Sequence, residues 1–136
     1  MVRALREAHR VLRTGGTLVD LRPAAEHRRI GLGRGRRWRQ IGIMREAFDK
    51  DRAADRAVAE VLRRNLFRRG ARAEFLLDRE MDTMSDFLDW LTDFGQRRTL
   101  ASHAWLLRKL ERRLAMKEET IVGRGRMTMQ VLRKLD

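Results

Sequence analysis

The sequence predicts a single domain of the α/β class, covering residues 1–136. A helix runs into a short strand near the start, apolar stripes with helical spacing come next, and short apolar runs lie between turn residues. With 43% hydrophobic residues the chain can fill one core, and it is short for two. The helical stripes lie at 54–66, 84–94 and 104–114, and the later apolar runs at 72–78 and 120–132.

The first 23 residues combine a helix, a glycine stop and a strand. Apolar residues recur at three- and four-residue steps from Val2 to Leu12, which predicts a helix over residues 1–13. Gly15 stands where a helix needs a left-handed terminating residue. Residues 17–21 then form a short apolar run closed by Pro23. Because adjacent apolar side chains point to opposite faces of a strand, we expect this strand to be buried on both faces, as in a parallel sheet.

Residues 7–20 also carry a family resemblance. They read Glu-Ala-His-Arg-Val-Leu-Arg-Thr-Gly-Gly-Thr-Leu-Val-Asp. This string resembles the segment of class I S-adenosylmethionine-dependent methyltransferases in which a helix leads into the fifth strand of the sheet. The match covers residues 4–23, and Thr14 replaces the Pro that is common in the family. The resemblance implies part of a Rossmann-like methyltransferase sheet, with the fifth strand, late antiparallel strands, packed helices and a basic hairpin.

The functional expectation comes from the part of the family that the match does not include. In these methyltransferases the cofactor is held mainly by the first half of the domain, through a glycine-rich loop and an acidic residue. This chain begins downstream of both. We therefore expect a methyltransferase-related protein, a transferase if it has any activity, that lacks the cofactor-binding half and is inactive alone, as a remnant or one half of a split enzyme. S-adenosylmethionine is implied by the resemblance only, and we expect the chain alone not to bind it. The catalytic and cofactor-binding residues stay unassigned.

A second glycine-rich stretch, at 31–35, has the glycine spacing of a cofactor loop but not the flanking strand and helix of one. Such a loop comes after a buried strand and opens a helix. Here His27, Arg28 and Arg29 precede the glycines, and Gly42 interrupts the apolar segment after them. The alternating apolar residues on either side predict instead a hairpin within residues 26–43 with its tip near Arg34.

The charge of the chain supports an alternative function. The net charge is +13, carried by 28 Arg and 4 Lys, which favours polyanionic partners. Guanidinium groups pair with phosphate and Trp can stack on a base, so the alternative is a small basic nucleic-acid-binding module without catalysis. A solvated basic hairpin, with its Trp packed on the domain, would show the same pattern. The candidate binding residues are Arg28, Arg29, Arg34, Arg36, Arg37, Trp38 and Arg39.

Other chemistries find little support in the sequence. The chain has no Cys, which excludes disulfides and thiolate zinc sites, and its three His stand on different elements without paired spacing. We therefore expect no metal site. The acidic residues between Asp78 and Asp93 are expected to pair with the excess arginines. No apolar run is long enough for a membrane span and no signal peptide is evident, so we expect a cytoplasmic protein.

The strand at 17–21 also leads to an expectation about assembly. In the resembling fold the fifth strand has neighbours on both edges, and this chain can supply only one of them. An uncovered edge exposes unpaired amides and carbonyls, which proteins avoid. We expect a homodimer that involves residues 1–23, or a separate polypeptide that completes the sheet. A purely structural or dimerising protein is a third possibility.

Several local expectations concern the rest of the chain. Thr83 and Asp86 are expected to cap a helix that ends at Gly95, and the helix before it is expected to end at Gly70. Thr99 is expected to open another helix. The end of the chain is expected to be a hairpin or one long bulged strand. The predicted apolar seam of the helix after Thr99 consists of Ala104, Leu107, Leu110 and Leu114.

Overall fold

The computed structural model describes residues 1–34, 36–92, 98–100, 103–116 and 119–136, with only the backbone of 98–100. These residues form helices and mostly antiparallel strands, so the predicted α/β class is confirmed. The helices are α1 Val2–Val11, α2 Asp49–Arg63, α3 Met84–Thr92 and α4 His103–Ala115. The strands are β1 Thr17–Pro23, β2 Arg28–Arg34, β3 Arg37–Glu46, β4 Phe67–Met81, β5 Arg98–Leu100 and β6 Thr120–Lys134.

The chain forms two compact units, each made of more than one segment. The first unit comprises Met1–Ala25, Phe48–Phe75 and Met127–Asp136, and the second comprises Glu26–Ala47 and Leu76–Arg126. Each unit has its own apolar core. Strands β4 and β6 contribute residues to both units. That residues 1–136 act as one domain stays a prediction.

The core of the first unit lies between its two helices and one face of its strands. Leu5 of α1 and Val58 and Val61 of α2 pack with Phe67 of β4 and Leu132 of β6, all of them buried. Leu18 of β1 packs against the same cluster. Helices α1 and α2 therefore cover the same face of β1 and β6.

Strand β1 is covered on that one face only. It pairs antiparallel with β6, from Thr17 opposite Arg133 to Pro23 opposite Met127, and no second partner occurs among the described residues. Val19 is 54% exposed and Leu21 52% exposed, on the face away from α1 and α2. The expectation that β1 is buried on both faces is therefore wrong, because both helices of this unit pack on the other side.

Strand β4 lies on the opposite edge of β6 from β1. A side chain at Gly70 of β4 would meet the side chain of Val131 at 3.2 Å, and Val131 is already the partner of Val19 across the other edge. A strand has only two edges, so β6 is the central strand of the three.

The two helices of the first unit end in different ways. Helix α1 ends at Val11, and Leu12 is already extended. Three residues later Gly15, with φ 72°, turns the chain into β1. Helix α2 ends at Arg63, and Asn65, with φ 55°, is the left-handed residue. The amides of Asn65 and Leu66 donate to the carbonyls of Leu62 and Val61, which is a Schellman arrangement. The prediction that Gly70 ends this helix is therefore wrong, since Asn65 supplies the left-handed conformation first.

In the second unit, β2 lies between β6 and β3, antiparallel to both, and β3 also pairs with β5. The core consists of buried residues from β2, β3, β4, β6, α3 and α4, among them Ile30, Leu32, Met44, Phe87 and Leu106. Strand β6 is continuous over its 15 residues, so of the two alternatives for the end of the chain the single long strand is observed.

The helices of the second unit match the predictions in part. The Asp86 amide donates to Thr83 Oγ1 at 3.0 Å and the Thr83 hydroxyl donates to Asp86 Oδ2 at 2.7 Å, which confirms the cap of α3. Gly95 lies outside the described residues. Thr99 belongs to β5 and α4 begins at His103, so the prediction that Thr99 opens a helix is wrong.

The predicted apolar seam of α4 is also wrong in part. Leu106 and Leu110 are the fully buried residues of this helix, whereas Ala104 is exposed. Leu107 and Leu114 are only partly buried against the core. The helix thus docks through Leu106 and Leu110, with Leu107 and Leu114 at the border of the contact.

Candidate functional site

The β2–β3 hairpin owes its glycines to close packing. Its pairing runs from Arg28 opposite Met44 to Arg34 opposite Arg37, which confirms the predicted hairpin and its tip. A Cβ at Gly31 would lie 2.2 Å from Trp38 Nε1, and one at Gly33 would lie 2.1 Å from the Arg37 carbonyl oxygen. Neither position has room for a side chain. The glycine spacing that resembles a cofactor loop therefore serves the contact between two adjacent strands.

Trp38 is held between the hairpin and an arginine of β6. The Arg124 guanidinium carbon lies 4.3 Å from the centre of the Trp38 ring. The Arg124 Nε and Nη2 donate to the two carboxylate oxygens of Asp78 at 2.7 Å each. The hydrogen bond from Arg124 lowers the pKa of Asp78, and the same bond raises the pKa of Arg124. One face of the Trp38 ring is therefore occupied by an arginine that a carboxylate fixes in place.

The tip of the hairpin borders an arginine-rich cavity of about 720 Å³. Among the described residues, Arg34, Arg36 and Arg37 make no ion pair, whereas Arg39 pairs with Glu119 at 2.9 Å. Excess positive charge is therefore concentrated at this tip. The cavity is lined by Leu32, Gly33, Arg34, Arg36, Arg37, Trp38, Arg39, Arg113 and Glu119.

The structure brings together five of the seven predicted nucleic-acid-binding residues and separates the other two. Arg28 and Arg29 lie at the other end of β2, away from the tip. The Arg28 Nη1 lies 3.2 Å from Glu46 Oε1, and its guanidinium carbon lies 5.9 Å from the centre of the Trp90 ring. Arg29 is exposed. Neither residue lines the cavity at the tip.

A second cavity, of about 510 Å³, lies along α4. Sequence reasoning assigned the basic residues of this helix to a solvated face and did not connect them with the hairpin. Trp105, Lys109, Arg112 and Met116 recur at helical steps, which is the signal that places them on one side. The cavity is lined by Trp105, Arg108, Lys109, Arg112, Arg113 and Met116, so Arg113 lines both cavities.

The arginine of β1 in the first unit has a different environment. Arg22 Nε donates to both oxygens of Asp20 at 2.8 and 3.0 Å, and its Nη1 donates to Asp55 at 2.9 Å. The Gln130 amide also donates to Asp20 at 2.8 Å. Burial lowers the pKa of Arg22, but the hydrogen bonds and charges of Asp20 and Asp55 outweigh it and raise that pKa overall. This network connects β1 with α2 and β6, and its carboxylates neutralise the charge of Arg22.

The three histidines lie apart on different elements. His9 of α1 packs edge-to-face on Phe67, with 5.3 Å between the ring centres. His27 Nδ1 accepts the Glu46 amide at 3.2 Å, and His103 is exposed at the start of α4. Among the described residues, no three His, Cys, Asp or Glu side chains lie close enough to hold a metal ion. The helices in this part of the chain are also too short or too polar to cross a membrane.

Comparisons of the chain with family models, with curated proteins and with solved structures found no match.

Proposed function

We propose that the chain is a methyltransferase-related protein that supplies one part of a class I-like sheet and needs a cofactor-binding half for activity. The proposal starts from the resemblance at residues 4–23, whose helix and strand correspond to α1 and β1. It assigns the catalytic chemistry and the binding of S-adenosylmethionine to the missing half, whether that half is a separate polypeptide or precedes these residues.

The open face of β1 is the observation that carries this proposal. In α/β proteins of the doubly wound class, helices cover both faces of the sheet. Here α1 and α2 cover one face, and Val19 and Leu21 expose about half of their side chains on the other. A missing half that contributed helices to this face would bury both residues. The apolar side chains are then explained as a surface that a complete domain covers.

The strand arrangement gives independent support. The resembling fold places late antiparallel strands on one side of its fifth strand, and β1 has the antiparallel β6 on one edge with β4 beyond it. The other edge of β1 has no partner among the described residues. That edge is where the remaining strands of a methyltransferase-like sheet would add.

Calorimetry with S-adenosylmethionine and its demethylated product tests this proposal. The chain alone should release no binding heat, because the Gly31 and Gly33 stretch is a hairpin and not a loop that opens a helix. Micromolar binding by the isolated chain would contradict the proposal. The DNA upstream of this coding sequence, or a neighbouring gene, should encode a glycine-rich loop directly after a strand. The absence of such a loop from both places would also contradict the proposal.

Until the other half is present, we propose that a second copy of the chain covers the open face and free edge of β1 as a homodimer. Light scattering at micromolar concentration should then give twice the monomer mass. Val19→Lys with Leu21→Lys should return the monomer mass, because charges on this face oppose its burial. Ile43→Lys with Leu88→Lys, on exposed apolar residues of the second unit, adds the same charge and should keep the dimer. A wild-type monomer would rule out the dimer.

The arginine-rich cavity at the hairpin tip favours a second candidate function, the binding of nucleic acid without catalysis. Three arginines without ion pairs among the described residues border a concave surface, and guanidinium groups match phosphate oxygens in a planar fork. Each phosphate contact contributes about 0.9 to the log-log salt dependence of binding on duplex DNA and about 0.7 on single strands.

A triple variant tests this second function. Replacing Arg34, Arg36 and Arg37 by Ala should weaken oligonucleotide binding and flatten the log-log salt slope by about 2 to 3. The control replaces Arg3, Arg13 and Arg68 by Ala, which removes the same charge from exposed positions of the first unit. Equal losses in both variants would mean that only net charge matters, and the function would then not belong to the cavity.

A further inference from the structure

Helix α4 presents an exposed aromatic ring within a row of basic side chains. Trp105, Lys109 and Arg112 succeed one another at steps of four and three residues, so they lie along one side of the helix, and Met116 follows directly after its end. This side borders the cavity of about 510 Å³, whose described lining contains no carboxylate. The opposite, apolar side of α4 is occupied, because Leu106 and Leu110 are fully buried in the core.

Trp105 differs from the other two Trp residues in its accessibility. It is 51% exposed, whereas Trp90 is 5% exposed and Trp38 is covered on one face by Arg124. Lys109 Nζ lies 4.6 Å from the centre of the Trp105 ring. Lys109 lies over the ring as Arg124 lies over Trp38, but half of the Trp105 side chain stays exposed, so a base can stack on it and the adjoining phosphate can pair with Lys109. Trp105 is thus better suited to stacking than Trp38.

Arg113 connects the two basic surfaces of the second unit. Its side chain lines the cavity at the hairpin tip and also the cavity along α4. Of the described residues that line either cavity, only Glu119 is acidic, and Arg39 is paired with it. The cationic surface is therefore continuous. It comprises Arg34, Arg36 and Arg37 at the tip, Arg113 in the middle, and Arg108, Lys109 and Arg112 on α4.

We propose that the second unit binds single-stranded nucleic acid across both cavities, with its phosphates along the arginines and one base stacked on Trp105. This inference rests on the second proposed function and adds α4, the strandedness of the ligand and the stacking residue to it. A duplex hides the faces of its bases, so an exposed Trp has nothing to stack on there. A membrane surface is a poorer fit, because the apolar side of α4 is buried and the basic side is concave.

Binding of oligonucleotides about 12 nucleotides long, within the usual site size for single strands, tests the proposal. The probes are poly(dT), poly(U) and a duplex of the same length, assayed by gel shift. The wild type should bind the single strands more tightly than the duplex. Trp105→Ala should weaken single-strand binding about tenfold, as expected for the loss of one stacked base, and Trp105→Phe should retain most of the affinity. Duplex binding should not change in either variant.

The outcomes separate this inference from the function on which it rests. Leu88→Ala, at another exposed apolar residue of the second unit, is the control and should bind like the wild type. If the triple arginine variant loses binding while Trp105→Ala binds normally, nucleic-acid binding stands and the path over α4 is wrong. If neither variant loses binding, both ideas fail. Anionic lipid vesicles that bind the chain more tightly than the oligonucleotides would also overturn the proposal. Equal affinity for poly(dT) and poly(U), or a preference for either of them over the duplex, fits it.

Discussion

Arg22 of the first unit and the arginines at the hairpin tip of the second unit have opposite surroundings. In the first unit, Arg22 is partly buried and pairs with two carboxylates, and these contacts together with the Gln130 amide hold β1, β6 and α2 together. In the second unit, Arg34, Arg36 and Arg37 stand around a cavity and make no ion pair among the described residues. The side chains are chemically identical. Their surroundings decide whether the charge stabilises the fold or remains available to a ligand.

This difference shows why net charge alone is a poor guide to function. The value of +13 counts Arg22 and Arg36 equally. Burial and carboxylate partners distinguish them, because a paired and desolvated guanidinium is committed to its partners, whereas an exposed one still attracts anions. Substitutions that remove the partners of Arg22 should therefore change stability. Substitutions of the arginines at the hairpin tip should change binding.

The largest effect on stability is expected at Asp20. Its side chain is only 8% exposed and accepts hydrogen bonds from Arg22 and Gln130. Asp20→Ala would leave a largely buried guanidinium with one exposed partner, so it should cost about 2 to 4 kcal/mol of unfolding free energy in a urea titration. Asp55→Ala removes the partner that is 64% exposed and should cost less than about 1 kcal/mol. Equal costs would mean that burial does not distinguish the two carboxylates.

A somewhat smaller loss is expected at Gly31, where the two strands of the hairpin depend on close packing. Gly31→Ala places a methyl group against Trp38 and the Arg39 carbonyl oxygen, and should cost about 1 to 3 kcal/mol. Gly15→Ala is the comparison in the first unit. It meets no atom within 4 Å but keeps a left-handed φ of 72°, and should cost about 1 kcal/mol. Thermal unfolding of the two variants measures the difference, and a larger loss at Gly15 would contradict the packing explanation.

Removing the arginines at the hairpin tip should barely change stability. The variant with Arg34, Arg36 and Arg37 replaced by Ala should unfold within about 0.5 kcal/mol of the wild type, since no ion pair at these residues is lost among the described contacts. It should gain slightly at low ionic strength, because like charges then repel less. A loss as large as that of Asp20→Ala would show that these arginines hold the hairpin together.

The smallest effect concerns pH and the pair between Asp78 and Arg124. The Arg124 hydrogen bond lowers the pKa of Asp78 in the folded state. The pair therefore contributes to stability above the unfolded pKa of Asp, about 4, and that contribution is lost as the pH falls through the lowered folded value. Solvent reaches 37% of the Asp78 side chain, so the contribution is small. Asp78→Asn should flatten the loss of stability below about pH 4, and an unchanged acid titration would contradict the assignment.

Local sequence patterns predicted the elements that local chemistry determines. The stripe before Gly15 predicted α1, the alternation around Gly33 predicted the hairpin, and Thr83 predicted the start of α3. The end of α2 was missed because Asn65, a less obvious left-handed residue than glycine, supplies the turn. Each of these features depends on a few neighbours along the chain.

The sequence did not predict which faces of the elements are covered. Leu18 and Val19 are both apolar, and only the packing of α1 and α2 determines that Leu18 is covered while Val19 is exposed. The candidate site was predicted in part for the same reason. The hairpin tip was recognisable as a run of arginines. Arg113 and Trp105 belong to helix α4, far along the chain, and only the folded unit brings Arg113 to the cavity at the tip.

The different surroundings of the three indole rings give the protein an internal optical reporter. The chain contains no Tyr, so its ultraviolet emission comes almost entirely from Trp38, Trp90 and Trp105. Trp90 is shielded, Trp38 lies beneath a guanidinium, and Trp105 is open to solvent. Dissolved iodide should therefore quench mainly Trp105, and the emission that survives should report the second unit's core. One unlabelled sample can thus distinguish an event at α4 from the unfolding of the core around Trp90.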